Sequence, residues 1–352
     1  MAQTVMLHEL CVLPSSISET SGLENGPNGW FWTHNDSDNA PQLFALDSTG
    51  VIHRTVAVSG DANTDWEELA KDDAGNLYIG NFGNNGLART DLRIGKIPSI
   101  DTCTTNAVVT ELIQFSYPDQ YNFPPIGTYG NFDMEAMFHY QDSLHLFSKD
   151  RSNPSTGYTK HYTLPTEAGT FQAHLVDSFQ TGHTSFFLAV TAADISDNGN
   201  QMVMLAADRI WLFSNFSGTD FFGGTAASLS LNVFSQKEGI CFKNGSMYVT
   251  DEQSFGMGGK MYRLDPALFV PVQDELRVAE VIPMYNEQFT LKLIQLEVGK
   301  KANWKLFTVD GRLVDHGFSY NSIPADRLAH KPGIYIIRIQ VENRYKALEI
   351  RL

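Results

Sequence analysis

The sequence predicts an all-β protein: a five-bladed β-propeller followed by a small Ig-like β-sandwich. Three observations predict it. Charged residues make up 18% and aromatics 12% of the 352 residues, with 28 glycines, a mix that suits short strands joined by polar turns. No window of about 11–18 residues sustains apolar positions at helical spacing. Five related segments recur at intervals of 46, 68, 58 and 45 residues, which fits one four-stranded blade per repeat.

Each repeat opens with a small or acidic triplet ending in an apolar residue: Ser21-Gly22-Leu23, Glu67-Glu68-Leu69, Glu135-Ala136-Met137, Ala193-Asp194-Ile195 and Glu238-Gly239-Ile240. A second apolar strand follows a short turn, at Trp30–Thr33, Leu77–Ile79, Leu144–Phe147, Met202–Leu205 and Met247–Val249. A third follows at Leu43–Leu46, Leu92–Ile97, Tyr158–Leu164, Ile210–Phe213 and Met261–Leu264. His8–Leu13 precedes the first triplet, while the last repeat lacks a fourth strand. Pairing the two closes the ring and removes both open edges. A six-bladed ring is the alternative, if residues 98–131 hide a degenerate blade with Val108–Phe115 as one strand. The propeller is expected over 5–272 and the sandwich over 275–352.

In the C-terminal part, Thr290–Val298, Trp304–Val309, Gly333–Ile339 and Lys346–Leu352 alternate apolar and polar residues between turns, as strands of a two-sheet sandwich do. The run Trp304–Val314 with its Asp310-Gly311 turn, then Ile323, Leu328, Pro332–Ile337 and Lys346, resembles the C-terminal sorting domain of the Bacteroidetes type IX secretion system over roughly 280–352. The family's Asn-Pro near the domain start is missing, and the chain ends on Arg351-Leu352 rather than lysine. The resemblance implies export across the outer membrane, with secretion machinery as a partner and a secreted or cell-surface location. The start Met1-Ala2-Gln3-Thr4 reads as a mature chain behind a removed signal peptide, or as a cytoplasmic protein that begins this way.

A net charge of −15 without a Lys/Arg cluster excludes nucleic acid as a partner. No run of 18 apolar residues offers a membrane span. Three cysteines, Cys11, Cys103 and Cys241, with no CxxC spacing argue against zinc and against a disulfide framework. Cys241, between Ile240 and Phe242, reads as a buried thiol.

In a propeller the innermost strands begin, and the second strands end, on one face. Glu67, Glu135 and Glu238 are therefore expected around the channel mouth as metal ligands. Glu19, Asp65, Asp133 and Asp194 lie close in sequence. Asp36, Asn81, Asp150, Asp208 and Asp251 come from the facing turns, with Lys149 as the basic member. The ligand-binding set is thus Asp36, Glu67, Asn81, Glu135, Lys149, Asp150, Glu238 and Asp251. Converging carboxylates must take protons or share a cation. Calcium suits them, because it accepts six to eight oxygens without strict geometry. His34 reads as a general base or a structural histidine, and Trp66 as a sugar platform or inter-blade core.

The segments Thr33–Ser37, Asp65–Ala70, Gly80–Asn85 and Asp133–Phe138 resemble the phytase-like ("esterase-like activity of phytase") propellers over residues 15–165. That resemblance implies channel carboxylates that bind calcium or substrate. No GxSxG, HExxH or GxxxxGK[ST] motif is present. Two functions stay open: a propeller that binds calcium or a small ligand, and a carboxylate- or metal-dependent hydrolase (phosphoesterase or glycosidase) at the same site. The first leads, because only Lys149, with Arg89 or Arg151 on nearby loops, could meet a phosphate.

Overall fold

The computed structural model describes residues 3–182, 185, 188–254, 257–264, 280–283, 289–292, 301–308, 312–319, 322–323, 334–341 and 344–351. All structural statements below concern these residues. The chain forms a five-bladed β-propeller. From the axis outwards, blade 1 is Thr20–Asn25, Phe31–Asn35, Gln42–Leu46 and Ile52–Ser59. Blade 2 is Trp66–Lys71, Leu77–Asn81, Arg93–Ile97 and Glu111–Ser116, and blade 3 is Asp133–Tyr140, Ser143–Lys149, Tyr158–Pro165 and His174–Gln180. Blade 4 is Ala192–Ile195, Gln201–Leu205, Arg209–Ser214 and Thr225–Leu231, and blade 5 is Lys237–Lys243, Ser246–Asp251, Lys260–Leu264 and His8–Val12. Every predicted triplet lies on an innermost strand.

The ring closes as the sequence predicts, with His8–Val12 antiparallel to Lys260–Leu264. The six-bladed alternative fails. Glu111–Ser116 is the outer strand of blade 2, and Asn106–Val108 pairs in parallel with Ile52–Ser59 of blade 1, so the expected Val108–Phe115 strand is split between two blades. The same stitching recurs where Gly169–Gln172 joins blade 2 and Gln3–Val5 joins blade 4. The lead-ins to the outer strands of blades 2, 3 and 5 thus pair with the blade before. Ahead of blade 4's outer strand there is a ring contact instead, Phe221 packing against Phe138, His145 and His161 of blade 3.

Side chains alternate across each strand, so every blade feeds two apolar layers. In blade 2, Leu69, Leu77 and Ile79 face blade 1, while Ala70, Tyr78 and Ile94 face blade 3. Corresponding layers fill the interfaces of blades 3 and 4, of 4 and 5, and of 5 and 1. Trp66 is wholly buried in the layer between blades 1 and 2, which makes it core rather than a ligand platform. Cys241 is buried between blades 5 and 1, and all three cysteines are free.

Beyond the propeller lie two sheets. Glu280–Pro283, Phe289–Lys292 and Ser322–Ile323 form one, and Leu313–Ser319, Ala302–Thr308, Ile334–Val341 and Arg344–Arg351 the other. Ala302, Trp304 and Leu306 are buried at alternate positions, as the sequence pattern requires. The predicted strand ends Asp310-Gly311 and Pro332-Gly333 lie outside the described residues, as do Met1-Ala2, residues 293–300 and the boundary at 272–275. No helix is long and apolar enough to cross a membrane.

Deleting residues 1–12 bares the edge of Lys260–Leu264. The truncated protein is expected to aggregate or to lose cooperative melting. A monomer with unchanged Tm, read by gel filtration and circular dichroism, would contradict this dependence.

Candidate cation site at the channel mouth

The carboxylates reach the mouth through one backbone device. In blade 2, Trp66 pairs with Asn81 and Glu68 with Gly80, leaving Glu67 without an opposite residue. Glu135 is skipped in the same way between Met134 and Ala136, and Glu238 between Lys237 and Gly239. Each is a β-bulge, which re-aims the extra side chain at a sheet rim. Blade 1 bulges too, between Ser21 and Glu24. Its equivalent residue is Gly22, at φ +64, where a Cβ would come within 2.9 Å of His34 Nε2 and 3.0 Å of Leu69 N. Blade 1 therefore sends no inner-strand acid to the mouth. Its contribution is Asp36, just past its second strand.

Asp36, Asp65 and Glu67 each offer a carboxylate oxygen within 4.8 Å of the others. Glu67 is buried and Asp65 only 9% exposed. Both lie over Gly83, where a Cβ would meet Glu67 Oε1 at 2.1 Å and Asp65 Oδ2 at 2.6 Å. The glycine is what makes room for them. Ser37 N donates to Asp36 Oδ1 at 2.5 Å, and Asn63 Nδ2 donates to the Asp36 carbonyl at 2.8 Å, fixing the turn.

Opposite this trio stands a charged pair. Lys149 Nζ lies 3.0 Å from Glu135 Oε1, and Arg151 reaches Glu135 at 3.2 Å and Asp133 Oδ2 at 2.6 Å. Asp133 also accepts from Asn84 N at 2.6 Å, tying blade 3 to blade 2. Glu238 and Glu252 complete the mouth. Glu238 is buried, is supported by Gln236, and has one oxygen, Oε2, without a hydrogen-bond partner.

Seven carboxyls (Asp36, Asp65, Glu67, Asp133, Glu135, Glu238 and Glu252) thus share the mouth with Lys149 and Arg151. Burial, then Glu135, Asp36 and Asp65, holds Glu67 well above the usual carboxylate range. Burial and the Asp65 charge push Asp36 up to about 6, and burial with Asp133 raises Asp65. Glu238 is pushed to about 7 by burial, which outweighs the pull of Lys149. Burial, then Glu238 and Asp36, takes Glu252 to about 9. Burial opposes the charge on Lys149, yet Glu135 and Glu238 overcome it and hold the ammonium charged.

Of the three expected ligands, Glu67 lies with Asp36 and Asp65 in the group of acids close enough to share an ion, whereas Glu135 pairs with Lys149 and Arg151. The facing-turn set divides. Asn81 and Asp251 both lie opposite the residue before the bulge, Asn81 bonded to the loop ahead of its blade and Asp251 to Ser235 and its neighbouring strand. Asn81 donates to Asp61 Oδ2 and the Ala62 carbonyl, and Asp251 accepts from Ser235, Lys260 N and Tyr262. Asp150 accepts from Ser152 N, Ser155, Thr156 and Gly157 N within its own loop. Asp208 pairs with Arg209. Asp194 falls deeper, near Glu24, and accepts from Phe242 N at 2.6 Å. Glu19 accepts from Asn39 at the rim. His34 is wholly buried, with Nδ1 2.9 Å from the Asn35 carbonyl and burial lowering it to about 4, so it is a neutral structural histidine.

No family model and no curated protein matches the sequence. Solved structures of similar shape include a protein provisionally assigned as a gluconolactonase (10% identity, 70% of this chain and 74% of that one, TM-score 0.39). Streptogramin B lyase is another (12% identity, 98% and 87%, TM-score 0.34). A third is PorZ, a surface component of the type IX secretion system of Porphyromonas gingivalis (13% identity, 94% and 51%, TM-score 0.29). Likeness at these values carries no inference about activity.

Between pH 7 and 8 an unfolded Glu252 is ionised, whereas the folded one, facing Glu238, Asp36, Lys149 and Glu19, keeps its proton. The folded state binds more protons, so stability in chelator falls as pH rises, by about 1 kcal/mol per pH unit from Glu252 alone. His34, His145 and His161, lowered by burial to about 4, 4 and 3, are neutral in the folded state over this window, and their residual protonation in the unfolded state near pH 7 is common to wild type and variant. Urea melts of Glu252→Gln at pH 7 and 8 are expected to show a shallower slope. An unchanged slope would place Glu252 in solvent.

Proposed function

We propose that the channel mouth binds a calcium ion through Asp36, Asp65 and Glu67, and that the loaded site takes a small ligand on the side of Glu238 and Glu252. The single observation that carries this reading is the approach of three carboxylate oxygens within 4.8 Å over a glycine whose side chain would fill the space. Repelling carboxylates gain most from a divalent cation, and the all-oxygen donor set suits calcium rather than zinc. Two protein neighbours, Lys149 and Arg151, pair with Glu135 and Asp133, so the cation serves the acids that have no ion pair of their own. The sorting-domain resemblance supports export, and we place the propeller outside the cell, where calcium is plentiful.

A second reading, hydrolysis at the same mouth, is favoured by one observation. Glu238 is buried with Oε2 unpartnered and titrates near neutrality, which suits a group that takes and returns a proton. It also bears on the substrate: Lys149 and Arg151 do enter the site, but both are held by Asp133 and Glu135, which leaves little to receive a phosphate.

A ligand bound only by the folded state raises stability by mass action. Calcium at 100 times its Kd is expected to add about 2.7 kcal/mol, and Asp65→Asn with Glu67→Gln to abolish the gain. The measurement is a set of four melts, wild type and double variant, each with calcium and with chelator. In chelator the variant should be the more stable, since neutral amides replace two acids whose ionisation burial and their mutual repulsion oppose. A wild type indifferent to calcium would sink the cation site.

A further inference from the structure

The strand-to-strand connection 117–131 leads from the outer edge of blade 2 into the inner strand of blade 3, and so lies on the face that carries the mouth. It is built onto the site's own loops. Arg151 N donates to the Gly130 carbonyl and Asn153 N to the Gly127 carbonyl, both at 3.0 Å. Ser152 Oγ donates to the Thr128 carbonyl at 3.1 Å, and Gln120 Nε2 to the Leu87 carbonyl at 3.0 Å on the loop after Gly83. Gly130 packs so closely on Arg151 that a Cβ would sit 3.1 Å from its carbonyl carbon.

This anchored loop holds its apolar side chains outwards. Tyr121 is 82% exposed, Ile126 85%, Tyr129 75% and Phe123 45%. Tyr158, 41% exposed, adjoins them, since Asn131 Nδ2 donates to its carbonyl at 2.8 Å. Among the described propeller residues these four aromatics are the only ones more than 36% exposed, and all gather beside the mouth. Large aromatics kept in water on a hydrogen-bonded loop mark a binding surface.

Charge decides the occupant. Residues 117–131 contain no Lys or Arg, the chain carries −15, and carboxyls outnumber cations at the mouth. Anionic lipid surfaces and acidic polymers are repelled by such a face. A neutral sugar fits both halves: its hydroxyls coordinate a hard cation and donate to carboxylates, and its C–H faces stack on aromatic rings. Four separate exposed aromatic side chains offer stacking faces to more than one sugar ring.

We propose that Tyr121, Phe123, Tyr129 and Tyr158 form a stacking platform for a neutral oligosaccharide whose end reaches the cation held by Asp36, Asp65 and Glu67. The inference rests on the calcium reading and names its ligand class. The test is native affinity electrophoresis of the whole chain, with calcium, in gels containing hydroxyethyl cellulose, arabinoxylan, galactomannan, pullulan or polygalacturonate. The wild type should be retarded in at least one neutral gel. Tyr121→Ser with Tyr129→Ser should lose roughly tenfold in association constant while keeping its calcium-induced rise in Tm. That retained rise shows the variant folded and the cation site intact. Retardation by none of the neutral gels, retardation by polygalacturonate alone, or binding unchanged in the double variant would each overturn the platform. So would tyrosine-dependent sedimentation with phosphatidylcholine vesicles. Tyrosine-dependent binding to a neutral gel in a protein that calcium does not stabilise would keep the platform and overturn the cation site instead.

Discussion

At the head of three inner strands, two residues stand where the partner strand has one, and everything at the channel mouth follows from that mismatch. Without it, Glu67, Glu135 and Glu238 would alternate into the apolar layers between blades, where an unpaired carboxylate costs several kcal/mol. With it, each is released from the ladder and turned to the rim. Neighbouring inner strands, splayed too far to share a full ladder, are then joined by side chains at the same level. Ser21 Oγ donates to the Glu67 carbonyl at 2.7 Å, Asn84 N to Asp133 at 2.6 Å, and Thr191 Oγ1 to the Lys237 carbonyl at 2.5 Å. The acids are held by a scaffold that cannot relax them apart.

Such a scaffold stores repulsion, and the mouth disperses it unevenly. Around blade 3 the repulsion is met by Lys149 and Arg151, whose ion pairs are largely buried and so little screened. Around blades 1 and 2 no described cation forms an ion pair with Asp36, Asp65 or Glu67, and Arg89, whose charge favours an ionised Asp65, is turned to Asp91 and the Gly83 carbonyl. The protein therefore answers the same electrostatic problem with its own side chains on one wall and leaves the other wall to protons or an external ion.

Architecture was legible because it rests on period-two burial. Leu77, Ile79 and their equivalents announce second strands, and His8–Val12 announces itself as an edge with no partner in its own repeat. Register was not legible. Aligning Ser21 with Glu67 is one residue off, since the bulge sets Gly22 there, and a bulge leaves no mark in composition. The same slip grouped Asn81 and Asp251 with Asp36, although the first two face the ladder and the third lies two residues beyond it. Counting from the bulge, Glu252 falls level with Lys149, and both line the mouth. Glu252, next to Asp251 in the sequence, has no local pattern that marks it as the one that turns to the mouth. Arg151 was named only as a nearby loop residue, because nothing in a sequence shows a loop folding back 18 residues to meet Asp133. The parallel stitches at Gln3–Val5, Asn106–Val108 and Gly169–Gln172 are three or four residues long, too short for periodicity to reveal.

The asymmetry of the ring gives the mouth a direction. In blade 4 the residue ahead of the inner strand is Thr191, not an acid, Asp208 is neutralised by its own neighbour Arg209, and the inner strand runs only Ala192–Ile195. It contributes no acid to the mouth. The cation-ready wall lies between blades 1 and 2, and the paired wall lies on blade 3. Three of the exposed aromatics, Tyr121, Phe123 and Tyr129, rise from the connection between blades 2 and 3, and Tyr158 opens the third strand of blade 3. A ligand that used all three would lie across blades 1 to 3, with its polar end among Asp36, Asp65 and Glu67 and its length along Tyr129 towards Tyr121. Five-fold repetition built the scaffold, and its breakage at blades 1 and 4, where Gly22 and Thr191 stand instead of an acid, makes the acidic rim of the channel asymmetric.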